Sequence, residues 1–201
     1  MMFYDETDRS RKLGENFVTW ALDRFGPIGL DRDHMALTFI PLDAPLVPET
    51  HGRPVGYSHN GAKAFYPCSV VKAFYLAAVE ARLEEGAVQP HGELDRAMHD
   101  MIAWSSNTAT NYIIDLVTGT TGDTLLDDAA MRDWAEQRNW VNRHLRGLGW
   151  PELQGTNVCQ KLMDDDRYGR EHVFAKLGGN NHNHLNTAAA ARLFHAIFTG
   201  Q

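Results

Sequence analysis

Apolar residues recur at helical spacing over residues 13–25. Phe17, Trp20, Ala21 and Arg24 fall together, and the pattern stops at Gly26-Pro27, a pair that ends helices. Residues 34–42 form an apolar-rich run that reads as a strand. Residues 54–58 and 62–66 flank His59-Asn60-Gly61, whose Asn-Gly pair predicts a hairpin turn between two strands. Residues 69–79 are apolar nearly all round, the signature of a helix buried on every side. A further helix is expected over 107–117, capped by Ser105 or Ser106. The spacing of Trp134, Val141 and Leu145 predicts one long helix over 127–148. Residues 164–186 read as a polar loop, and 187–199 as a last helix closed by Gly200.

The buried helix carries the first candidate chemistry. Ser69 and Lys72, three residues apart at its start, share one helical face. The chain has five serines and five lysines, so chance supplies an S-x-x-K only about 0.1 times. A lysine at the head of an apolar helix is costly to bury without partners or a task. Beside a serine, a desolvated lysine can take the hydroxyl proton, and the helix N-terminus stabilises a developing oxyanion.

A second constellation follows in Trp104-Ser105-Ser106-Asn107-Thr108-Ala109-Thr110-Asn111. With Ser69 and Lys72 in order before it, the chain resembles the class A β-lactamase and penicillin-binding-protein superfamily, whose elements are S-x-x-K, S-D-N and K-T-G. The resemblance implies Ser69 as nucleophile and Lys72 as general base. It implies Ser105 as proton relay to the leaving nitrogen and Asn107 as ligand of the substrate amide. Trp104 would line the substrate entrance. Asn111, one turn beyond Asn107, resembles the family asparagine that braces the loop carrying the deacylation glutamate. Ser106 stands where the family has aspartate, and the interval from Ser69 to Ser105 is short, implying a trimmed helical region and a more open cleft.

The loop 164–186 occupies the place of the family's omega loop. Counting back from the last helix lands near Glu171, which the resemblance implies as the deacylation base, with Asp164, Asp165 and Asp166 as competitors. Without an effective base the acyl-enzyme would persist, as in a penicillin-binding protein or D-Ala-D-Ala carboxypeptidase. No Lys-Thr-Gly or Lys-Ser-Gly occurs; Phe198-Thr199-Gly200 is the nearest string. That motif supplies a substrate-binding cation and the second oxyanion amide in the family, and losing one oxyanion donor costs about 100- to 1000-fold in rate.

The implied fold is α/β in the broad sense (α+β), β-lactamase/transpeptidase-like. An antiparallel sheet is flanked by helices beside an all-helical region, and the C-terminal strands are missing. Residues 1–201 would then form a single, incomplete domain, about two thirds of the family's. An exposed sheet edge and apolar surface are expected unless a partner covers them, and a complementing C-terminal segment is one such partner. A non-catalytic relative acting as a binding module is the remaining alternative.

Composition narrows the rest. At 201 residues and 43% apolar content one core is expected. A net charge of −7 argues against general nucleic-acid binding. No run of 18 apolar residues is present, so no membrane span is expected. No export peptide is visible at the polar start, although the family acts in the periplasm or outside the cell. The implied substrates are β-lactams or peptidoglycan stem peptides, with no cofactor. Cys68 and Cys159 have no metal spacing, and His182 and His184 lack a third ligand, so no metal is expected.

Overall fold

The computed structural model describes residues 2–48, 50–163 and 166–201. In chain order the helices and strands are α1 (Asp8–Phe25), β1 (Leu37–Phe39), β2 (Tyr57–His59), α2 (Val71–Glu84), α3 (Gly92–Ala103), α4 (Asn107–Thr118), α5 (Asp128–Arg138), α6 (Trp140–Gly147), α7 (Gly169–Ala175) and α8 (Thr187–Thr199). The class is therefore mixed helix and sheet, with a two-stranded antiparallel sheet among the described residues. No described helix is long and apolar enough to cross a membrane. The chain divides into two compact units, residues 1–65, 151–154 and 185–201, and residues 66–150 and 155–184.

In the first unit, α1 begins at a reciprocal cap in which Ser10 N donates to Thr7 Oγ1 (3.1 Å) and Thr7 N to Ser10 Oγ (3.0 Å). Its buried face is the small-residue stripe Ser10, Gly14, Val18 and Ala21, whereas Leu13, Phe17 and Trp20 stay exposed. Gly14 explains the choice of face: a Cβ there would lie 2.1 Å from the Tyr57 ring, so only a bare backbone admits β2 this closely. Strand β2 pairs with β1 in the register Leu37↔His59, Thr38↔Ser58 and Phe39↔Tyr57.

The expected hairpin around Asn60-Gly61 does not form. Asn60 has left-handed backbone (φ 51°), but its amide nitrogen donates to Arg32 O and Met35 O (both 2.9 Å), which anchors the turn to the segment before β1. Gly61 O then accepts from Ala188 N, and Phe65 exchanges two backbone bonds with Leu185 (2.8 and 3.0 Å). The residues after the turn are thus committed to the start of α8. That helix runs over its expected span, capped by Asn186 Oδ1 from Ala189 N (2.8 Å) and ended by left-handed Gly200. Phe194, Ile197 and Phe198 of α8 are exposed, as are Leu13, Phe17 and Trp20 of α1, so apolar surface is left open on this unit.

In the second unit α2 is the centre. Val71, Phe74, Tyr75 and Val79 are fully buried, as the all-round apolar pattern requires, and α3, α4 and α6 pack on the helix. The expected single helix over 127–148 is two, α5 and α6. Asn139 leaves helical geometry at the junction (φ −77°, ψ 6°), and its side-chain oxygen accepts from Asn142 Nδ2 (3.0 Å). The expected polar loop over 164–186 contains α7. Phe174 drives that difference by packing edge-on against Trp134 (5.3 Å between centroids) beside Met131, Ala135 and Cys159.

Candidate functional site

The site belongs to the second unit. A 3₁₀ turn, Cys68–Val70, feeds directly into α2. Cys68 adopts a left-handed backbone (φ 47°), and Ser69 follows it, exposed to solvent beside the helix N-terminus. Three residues on, Lys72 is buried at 2% exposure.

Between α3 and α4 the chain makes a short non-helical link. Ser106 is the N-cap: its Oγ accepts from Ala109 N (3.2 Å) and its carbonyl from Thr110 Oγ1 (2.7 Å). Capping by Ser106 frees the Ser105 hydroxyl for other work. Ser105 is held in left-handed backbone (φ 54°), an uncommon conformation for a residue with a side chain.

Lys72 Nζ donates to Ser105 Oγ (3.0 Å), to Asn107 Oδ1 (2.9 Å) and, at very short range, to the Ser105 carbonyl. Three oxygens thus face the three N–H bonds of an ammonium. The structure brings Lys72, Ser105 and Asn107 together across more than 30 residues of chain, with Ser69 one helical turn before Lys72. Trp104, next to Ser105, is 74% exposed and stands edge-on to His99 (6.4 Å between ring centroids).

Asn111 is one turn beyond Asn107 on α4. It grips the backbone of Leu162 from both sides, donating from Nδ2 to Leu162 O (2.9 Å) and accepting from Leu162 N at Oδ1 (2.8 Å). Leu162 ends a buried irregular stretch whose backbone groups are satisfied by side chains. Val158 N donates to Asn142 Oδ1 (2.7 Å), and Cys159 N and Gln160 N both donate to Asn183 Oδ1 (2.9 Å each). Gln160 O accepts from Tyr75 Oη (2.9 Å) and Asn183 Nδ2 (3.0 Å). Burial pushes the Cys159 thiol up to about 12 and the Tyr75 hydroxyl well above its usual range.

Glu171 is a buried, ion-paired carboxylate of this unit. It is 2% exposed and paired with Arg138 (2.8 Å) and Lys161 (3.6 Å). Arg138 is fully buried. It also binds Asp115 (3.0 Å) and Thr120 Oγ1 (2.7 Å), and lies over the Trp134 ring at 4.6 Å. Asp115 completes the cluster through Lys161 (2.5 Å); burial raises its carboxyl above the ordinary range, while Lys161 and Arg138 oppose the shift. Burial and pairing with two cations leave the Glu171 carboxylate little solvent to act on, an environment that disfavours general-base work on water. Of its competitors, Asp164 and Asp165 lie outside the described residues, and Asp166 is exposed.

Sequence reasoning passed over Asp115, Arg138 and Lys161. One signal was available: Asn107, Asn111 and Asp115 recur every four residues and so fall on one face of α4. His184 Nδ1 is within 3.1 Å of His182 O, and no three His, Cys, Asp or Glu side chains among the described residues converge as a metal site.

Comparisons with protein-family models, with curated proteins and with solved structures give no match to this chain.

Proposed function

We propose that the chain is a serine hydrolase of β-lactamase type that opens an amide through an acyl-enzyme on Ser69. The observation that carries this reading is the convergence of Lys72, Ser105 and Asn107, to which the resemblance gives the roles of general base, proton relay and substrate-amide ligand. In the first step Ser69 Oγ attacks the substrate carbonyl carbon and its proton passes to Lys72. A neutral lysine has two N–H bonds and one lone pair, so Lys72 gives up a donated contact to accept it. As the C–N bond breaks, the proton reaches the leaving nitrogen through Ser105, 3.0 Å from Lys72 Nζ. Asn107, whose Oδ1 faces Lys72, offers its amide to the substrate, and Trp104 lines the entrance. Water then cleaves the ester and regenerates Ser69.

A variant of this reading is favoured by the burial of Glu171 between Arg138 and Lys161. With that carboxylate unable to activate water, deacylation is slow, and the protein behaves as a D-Ala-D-Ala peptidase or an acyl-trapping penicillin-binding protein. The exposed residues Phe17 and Trp20 of α1 and Phe194, Ile197 and Phe198 of α8 support a complementing segment that covers them and widens the sheet.

The test is intact-protein mass spectrometry after mixing with benzylpenicillin, followed over time beside Ser69→Ala. The expected result is an adduct on the wild type alone. Its decay marks a β-lactamase and its persistence the slow-deacylating variant. An adduct on Ser69→Ala, or none on either protein, overturns the assignment.

A further inference from the structure

The Asn107–Asn111–Asp115 face of α4 joins the candidate reactive centre to a buried charge cluster. Asn107 meets Lys72, Asn111 meets the backbone of Leu162, and Asp115 meets Lys161 and, behind it, Arg138. Successive residues of the 158–162 stretch are therefore fastened to successive turns of one helix. Lys161 goes to the far turn and Leu162 to the middle one, so the stretch advances along α4 toward the turn that contacts Lys72. With a rise of about 1.5 Å per residue, Asn107, Asn111 and Asp115 follow one another along α4 at intervals of about 6 Å.

The fixings differ in kind. Asn111 supplies a direction-specific pair of neutral hydrogen bonds. The Asp115–Lys161 contact is an ion pair whose carboxylate is held from the other side by Arg138, itself immobilised by Glu171, Thr120 and the Trp134 ring. Buried ion pairs add little net stability, because desolvation offsets most of the attraction, but their geometry sets register. A Cβ at Gly122 would sit 2.6 Å from Glu171 Cγ, so the carboxylate is also confined sterically.

We propose that Asp115 and Lys161 are positioning residues for the serine centre: their ion pair fixes the height of the 158–162 stretch on α4, and so the placement of the Asn107 turn against Lys72. This rests on the serine-hydrolase reading for the identity of the centre, and on the contacts alone for the coupling. The stretch is fastened to the helix that carries the Asn107 turn, so releasing Lys161 loosens the contact that holds the two in register. Misplacement by about 1 Å at a reacting centre costs about 100-fold in rate.

The experiment compares wild type with Lys161→Met, Lys161→Arg and Asp115→Asn in the full chain. Two quantities are read: amide hydrogen exchange at Leu162 and residues 105–109, and the rate of Ser69 labelling by a fluorescent penicillin. In Lys161→Met, protection at Leu162 should fall about tenfold or more and labelling should slow about 10- to 100-fold. Lys161→Arg should restore both, which a merely space-filling role would not do for the labelling rate. If Lys161→Met does not fold, Asp115→Asn supplies the same comparison with nearly unchanged shape. Equal labelling rates in all four proteins overturn the proposal and leave the serine reading standing. Unlabelled wild type overturns the serine reading and this role with it. Loss of protection spread evenly over the unit, with labelling not rescued by arginine, reduces the pair to a structural element and also overturns the proposal.

Discussion

Asn111 holds Leu162 by both faces of its peptide backbone, giving a hydrogen bond of 2.9 Å to the carbonyl and taking one of 2.8 Å from the amide. No strand neighbour is needed, because a side-chain amide presents the same donor–acceptor pair as a backbone unit. Replacing Asn111 with leucine removes both bonds and leaves the Leu162 groups half-buried without partners. The cost should be about 2 kcal/mol, and urea unfolding measures it. A stability unchanged within error would mean that solvent replaces the brace at no penalty.

Lys72 is the largest single lever on the proposed chemistry. Lys72→Ala removes the donor shared by Ser105 and Asn107, and loss of general acid–base help slows acylation about 100-fold or more. Stopped-flow labelling with a penicillin reads this directly, and an undiminished rate would take Lys72 out of the mechanism.

The two thiols should separate cleanly. Cys68 is exposed, whereas Cys159 is buried and its thiol is pushed up to about 12 by burial. Iodoacetamide on the native protein at pH 8 should therefore modify Cys68 and spare Cys159, by peptide mass spectrometry. Alkylation of both at similar rates would show that the 158–162 stretch opens readily.

His195 makes the first unit sensitive to acid. It is 4% exposed on α8, its Nδ1 has no hydrogen-bond partner, and the Phe3 ring lies 5.6 Å away. Burial, with Arg192 adding to it, lowers its pKa from the ordinary 6.5. Below pH 6.5 the unfolded chain binds a proton that the folded one refuses, so this contribution to stability is complete above 6.5. It is lost as pH falls toward the lowered folded value. The urea midpoint should drop between pH 7.5 and 5.5 in wild type and drop less in His195→Gln; parallel curves would count against the assignment.

Gly14→Ala sets two magnitudes against each other. Alanine favours the helix by about 1 kcal/mol over glycine. The new Cβ, however, falls 2.1 Å from Tyr57 Cδ1, and that ring is tied by its hydroxyl to Glu15 at 2.6 Å. Overpacking of this kind costs about 1–3 kcal/mol, so the variant should be less stable in thermal melts. A raised melting temperature would show that β2 yields easily.

The features legible in the sequence share a local cause. The apolar run after Ser69 specified a helix buried on all sides, and α2 is one. Gly200 ends α8 where the stop signal lies, and a serine caps α4. Each depends on periodicity or on side chains within four residues of the backbone groups they satisfy. The pairing of Lys72 with Ser105 and Asn107 was implied only through a resemblance, since no local rule brings residues more than 30 apart into contact.

What the tertiary structure alone decided was where backbone and charge found distant partners. The Asn60-Gly61 turn looks like a hairpin locally, but Asn60 is bound to Arg32 and Met35 and the chain is drawn to Leu185 instead. The break at Asn139 is invisible in an apolar pattern that runs on through α6. Glu171 reads as a solvated loop carboxylate until Arg138, 33 residues away, proves to be buried beside it. In each case several local conformations were open to the segment. At Asn60 and Glu171 the one adopted meets partners that lie far off in sequence, a condition that exists only once the chain has folded around them.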